Sequence, residues 1–218
     1  MFRIMLLSLL LCFMNLAYAE QQLLPAITES IPVFELKEYP NSSVSVQQLI
    51  TIASDLSQKK LTYLYGSSDP KNEGMDCSGT IHFLLNKVTN KDVPRQADEM
   101  YTWAEKKGHL YKVTQQDFSS QEFSNLKPGD LLFWSGTYNV KRNPPITHVM
   151  IYLGKNSQDK PLMFGASDGR RYKGKKIRGV SVFDFELPND KSLAKFVGYS
   201  CVPELTCDES VVQESKPN

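Results

Sequence analysis

Lys127-Pro128-Gly129-Asp130-Leu131-Leu132-Phe133-Trp134 is where this chain changes character. Pro128-Gly129-Asp130 has the residues of a tight turn, and the apolar run 131–134 behind it reads as a buried strand. Upstream, apolar residues recur at helical spacing. Val46, Leu49, Ile50, Ala53 and Leu56 form one face of a helix expected to be capped by Ser45 and to end near Lys59. Ile81, Leu84, Leu85 and Val88 form a second face, on a helix that starts at about Cys77 with Asp76 as its N-cap. A third helix is expected over 96–107, stopping before Gly108. Downstream, residues 147–153, 162–166, 180–185 and 195–199 read as strands. Helices first and strands second argue for an α+β fold, with helices packed on an antiparallel β-sheet.

The chain has 218 residues, enough for one well-buried domain and short for two of ordinary size. Its formal net charge is +1, so no strong field draws in nucleic acid or a membrane surface. Residues 1–19 read as a secretory signal peptide. Arg3 precedes an apolar run over 5–14, and Ala17-Tyr18-Ala19 offers small residues where a signal peptidase reads, so cleavage is expected before Glu20. The apolar run falls short of the about 20 residues a bilayer span needs. No integral membrane anchor is therefore expected, and the protein is expected to be exported, to the periplasm or the medium. Residues 20–44, with Pro25, Pro32 and Pro40, read as an N-terminal extension in the form of a surface arm or short strand. Residues 45–202 read as the domain and 203–218 as a C-terminal tail.

Export gives the cysteines their meaning. The mature chain keeps Cys77, Cys201 and Cys207. Oxidising compartments join thiols that can meet. Cys201 and Cys207 can close a small loop, which leaves Cys77 over, either as a working thiol or as a small buried apolar residue, and its local sequence decides between them.

Cys77 is expected at a helix N-terminus, where free N–H groups and the dipole favour thiolate over thiol. The same N–H groups can hold an oxyanion, and Ser78-Gly79 keep the approach open. A thiolate nucleophile needs an imidazole. His82 falls about half a turn off the needed face, and His109 lies in a polar connector. His148 opens an apolar strand, from which it can project toward a helix terminus, and is the favoured partner.

At this point the residues resemble a family. Asp76-Cys77-Ser78-Gly79, Lys127-Pro128-Gly129-Asp130-Leu131-Leu132-Phe133 and Thr147-His148-Val149-Met150-Ile151-Tyr152-Leu153-Gly154 resemble, in order, the signature blocks of the NlpC/p60 cell-wall cysteine peptidases. Tyr63-Leu64-Tyr65-Gly66 and Val93-Pro94-Arg95 resemble two further family segments. The resemblance implies a papain-like core and an endopeptidase that hydrolyses peptidoglycan stem peptides, typically between D-γ-glutamyl and a diamino acid. It implies Cys77 as nucleophile, His148 as base, and Tyr63 near the nucleophile to position substrate or oxyanion. No metal or other cofactor is implied. The expected partner is peptidoglycan or its muropeptides, acted on by a monomer, with no nucleic acid involved.

One position departs from the family. Its third polar residue, often histidine, falls at Gly165 of Phe164-Gly165-Ala166-Ser167-Asp168-Gly169, and a glycine orients no imidazole. Ser167 or Asp168 is a candidate substitute, as is a backbone carbonyl. Two alternatives to the peptidase stay open: a weak or inactive module that binds peptidoglycan, and a thiol acyltransferase or amidase on the same fold. The basic segment 169–176 either contacts stem-peptide carboxylates or is a solvated hairpin connection. Trp134 is expected in the core.

Overall fold

The fold is described from a computed structural model covering residues 25–207. The expected signal peptide, residues 20–24 of the extension and residues 208–218 of the tail lie outside the described residues. Three helices, α1 (Val44–Gln58), α2 (Cys77–Val88) and α3 (Ala97–Lys106), precede most of the sheet. The strands are β1 (Thr62–Tyr63), β2 (Gly74–Met75), β3 (Leu110–Lys112), β4 (Leu131–Ser135), β5 (Ile146–Lys155), β6 (Pro161–Ser167), β7 (Arg171–Tyr172), β8 (Lys175–Lys176), β9 (Gly179–Asp184) and β10 (Lys195–Ser200). Six of them form one sheet in the order β3-β10-β4-β5-β6-β9, antiparallel at every pairing. The expected α+β class, with helices packed on an antiparallel sheet, is therefore what the chain adopts.

Central position explains the long apolar runs. β4 and β5 have neighbours on both sides, and residues 131–134 and 146–154 are buried. Helix α2 packs on β5, on β6 and on α1, which fixes where its N-terminus points. The Val46, Leu49, Ile50, Ala53, Leu56 face is buried as the periodicity requires. The cap of α1 is Ser43, not Ser45: the Ser43 hydroxyl accepts the Val46 N–H at 3.3 Å, so the helix begins at Val44. The preference for a hydroxyl was correct, but only Ser43 stands three residues before an unpaired N–H. The short strands β1, β2, β3, β7 and β8 carry too few residues for a two-residue period to show, and the sequence did not reveal them.

The described part of the N-terminal extension is strapped to the sheet. Ile27 and Arg178 exchange backbone hydrogen bonds of 2.9 and 3.0 Å. Glu29 donates its N–H to Ser181 Oγ (2.8 Å) and accepts that hydroxyl on its carbonyl (2.9 Å). Further on, Lys37 N–H reaches the Lys155 carbonyl at 2.9 Å, with Ile31 and Leu36 buried between. The arm thus covers the outer edge of β9, whose backbone would otherwise offer a template for another chain. At the other end of the chain, Cys201 and Cys207 are disulfide-bonded as expected, and Cys77 is free. Truncating a fully buried leucine removes its transfer energy and leaves a cavity. Leu36→Ala is therefore expected to cost about 2–4 kcal/mol, read as a lower urea midpoint. An unchanged midpoint would mean that the arm does not dock.

Candidate active site

The N-terminus of α2 is assembled around Asp76. Its Oδ1 accepts the Gly79 N–H at 2.6 Å, closing the cap. Its Oδ2 accepts the Gly66 N–H at 2.8 Å, from the loop after β1. Arg95 grips both oxygens, Nη1 to Oδ1 at 3.1 Å and Nη2 to Oδ2 at 2.9 Å, and Nη1 also donates to Ser78 Oγ at 3.0 Å. The Asp76 side chain is only 8% exposed, so this bidentate pair is shielded from solvent. Gly79 is required by contact: a Cβ there would lie 2.1 Å from the Ser67 carbonyl oxygen. One carboxylate thus joins a loop, a helix end and the arginine before α3, and holds Cys77 at the first position of α2.

The Cys77 sulfur faces the strand that carries His148, at the seam between α2 and β5. The Cys77 sulfur accepts backbone N–H groups from Val149, the residue after His148, and from Ser78. His148 lies opposite Trp134 in the β4–β5 register, and a bulge follows. Bulges re-aim side chains beside functional sites. Here Thr147 falls between the paired residues Ile146 and His148, and its hydroxyl accepts from the Thr137 N–H (3.0 Å), tying down the loop above the site. The Trp134 ring stands edge-on to His148, with centroids 5.8 Å apart.

The imidazole has no third polar residue. His148 Nε2 is buried without a hydrogen-bond partner among the described residues. Neither Ser167 nor Asp168 reaches it, which corrects the expectation that one of them would substitute for the family residue. At Gly165 the space is filled by Met150, whose Cγ would lie 3.1 Å from a Cβ there. Packing against Trp134, not an acceptor on the neighbouring strand, is what holds the ring.

Electrostatics overturn one expectation. Helix position alone predicts a lowered Cys77 thiol. Burial pushes it up instead, to about 11, with the Asp76 carboxylate adding to the rise; the Val149 and Ser78 N–H groups and Arg95 only partly offset this. His148 is held well below its ordinary value, first by burial and then by the Arg170 cation. At neutral pH Cys77 is therefore a thiol and His148 a neutral imidazole. Tyr63 is pushed far up by burial and then by the charge at Cys77, so it remains a hydroxyl donor at the seam.

Two clefts open at this seam. One of about 310 Å³ is lined by Cys77, Ser78, Asp76 and Arg95. The other, of about 860 Å³, is lined by His148, Trp134, Ser167 and Arg170. Tyr63, Tyr138 and Thr147 border both. The remaining histidines are elsewhere. His82 Nδ1 lies 2.9 Å from the Val93 carbonyl, a local tie. His109 lies beside Cys201 and Cys207, whose sulfurs are bonded to each other. Sequence reasoning missed the clamp made by Arg95, the Thr147 bulge, Tyr138 and the inward turn of Arg170. Only Arg95 had a signal, in its Pro-Arg segment. The segment 169–176 is indeed a small hairpin, β7–β8, except at Arg170.

The sequence profile of the NlpC/P60 family matches residues 60–173. Over 92 residues, 42% of this chain, the sequence is 33% identical to the Gamma-DL-glutamyl hydrolase of Bacillus subtilis. Over 92 residues it is also 33% identical to the Murein DD-endopeptidase MepH and 30% identical to the Probable endopeptidase YafL, both of Escherichia coli. These stretches span 18%, 28% and 30% of the three relatives. Among solved structures, the NlpC/p60 domain of the peptidoglycan hydrolase SagA is 22% identical with a TM-score of 0.41, covering 64% of this chain and 88% of that one. A lipoprotein-like NLP/P60 protein of Staphylococcus aureus is 22% identical with a TM-score of 0.40, over 74% of this chain and 40% of that one.

Two outcomes follow from this geometry. Asp76→Ala removes the cap and leaves Arg95 unpaired, and is expected to cost about 2–4 kcal/mol in urea unfolding; Asp76→Asn, which keeps an acceptor for Gly79, is expected to cost less. Because the thiol is raised and not lowered, alkylation of Cys77 should climb about tenfold per pH unit across neutrality, still rising toward pH 11. A rate already flat at mildly acidic pH would reveal a preformed thiolate–imidazolium pair.

Proposed function

The chain belongs to the NlpC/P60 family, and on that premise we propose that it is an exported cysteine endopeptidase that hydrolyses peptidoglycan stem peptides, between a D-γ-glutamyl residue and a diamino acid. The observation that carries this reading is the seam itself: a thiol at a capped helix terminus, bonded to the N–H next to His148. Support also comes from the relatives named as a γ-glutamyl hydrolase and a murein endopeptidase. The disulfide agrees with an oxidising compartment. Among the described residues, no helix is long and apolar enough to cross a membrane.

In this reading His148 takes the Cys77 proton as the sulfur attacks the scissile carbonyl. The Ser78 N–H and the Tyr63 hydroxyl face the developing oxyanion. His148 then returns the proton to the departing amine, leaving a thioester that water cleaves by the reverse use of the same base. A neutral imidazole suits the first step, since it must accept a proton. Its orientation rests on Trp134 and on burial.

A second reading, a module that binds the wall without cutting it, is favoured by one observation, the unpartnered Nε2 of His148. The two readings separate on purified peptidoglycan. The mature chain should release new stem-peptide fragments, and Cys77→Ala and His148→Ala should each lower the rate by about 10³-fold or more. Equal fragment yields from all three proteins, or none from any, would reject the peptidase reading and favour the binding one.

A further inference from the structure

The basic segment after β6 does not behave as one unit. Arg171 Nη1 donates to the Gly174 carbonyl at 2.8 Å, and Lys175 pairs with Glu29 at 3.2 Å. Arg170 instead turns inward. Its guanidinium lies 4.2 Å from the centre of the Trp134 ring, in the chamber that also contains His148. Among the described residues no carboxylate stands at ion-pair distance from it; Cys77, once ionised, and then Glu186 are near enough only to support its charge. Burial lowers its pKa to about 10, so it is still a cation at neutral pH. A half-buried cation without a carboxylate partner is costly, and stacking on an indole offsets only part of that cost. An anion supplied from outside would offset the rest.

We propose that Arg170 is a specificity-determining residue that binds a carboxylate on the side chain of the residue released from the leaving-group side of the scissile bond. This rests on the peptidase reading above. The side follows from chemistry. The imidazole hands its proton to the departing amine, so the residue carrying that amine lies on the His148 side, in the Arg170 chamber and not in the Cys77 cleft. The partner follows from charge. Asp168 and Glu186 line the same chamber. Together with Arg170 they match a side chain that ends in both an ammonium and a carboxylate. A diaminopimelate-type residue presents that pair, whereas a lysine presents the ammonium alone. The planar guanidinium can take the carboxylate through two parallel hydrogen bonds.

The test compares two tetrapeptides, L-Ala-γ-D-Glu-X-D-Ala, with X either meso-diaminopimelate or L-lysine. The wild type should favour the first in kcat/KM by about tenfold or more. Arg170→Met should bring that ratio close to one, and Arg170→Lys should keep part of it, because a point charge replaces the fork. The ratio is measured within one variant, so partial loss of folded protein cancels. A wild type without preference, or an Arg170→Met ratio equal to wild type, overturns the proposal. If neither peptide is cut, the peptidase reading fails. The subsite is then decided by dissociation constants for the same peptides in a Cys77→Ala background. A preference there that Arg170→Met abolishes upholds the subsite, and equal binding rejects it.

Discussion

The structure depends most on one buried carboxylate. Asp76 ends the loop from β1, caps α2 and receives both arms of Arg95. Each bond alone is worth little more than an ordinary hydrogen bond, but they share one acceptor inside a shielded pocket, where a missing partner costs more than a present one adds. The close approach of Gly79 to the Ser67 carbonyl belongs to the same assembly. Without it, the first turn of α2 would have no fixed position against β5, and the Cys77 sulfur no fixed relation to Val149 and His148.

That rigidity has an electrostatic counterpart. Burial favours the neutral form of three groups at the seam: thiol at Cys77, imidazole at His148, phenol at Tyr63. Arg170 stays charged because its intrinsic basicity exceeds what burial removes. The resting site therefore holds a neutral thiol and a neutral imidazole between the Asp76–Arg95 ion pair and the Arg170 cation. In the proposed reaction the thiolate and imidazolium arise only during proton transfer, and the N–H groups of Val149 and Ser78 already face the sulfur. A helix terminus supplies a favourable field, but desolvation outweighs it here.

Much of this was legible in the sequence, for physical reasons that differ by residue. The α1 and α2 faces were readable because a long helix repeats its burial pattern several times. Cys77 and Asp76 were readable because capping is local, needing only an oxygen three residues before an unpaired N–H. His148 was readable from its place at the start of an apolar strand, together with the family blocks. What stayed hidden was set by partners distant in sequence. The pKa of Cys77 depends on how completely β5 covers it. The room at Gly165 belongs to Met150, and the direction of Arg170 to Trp134. No window along the chain contains both members of either pair.

The strap along β9 bears on the order in which the chain can become native. Glu29 is bonded to Ser181, 152 residues later. During synthesis the arm emerges well before β9 and has nothing to hold until that strand has followed. Loop closure over such a separation comes late in assembly. The arm is therefore late to lock although it precedes its partner strand in the chain, and until then the outer edge of β9 stays open.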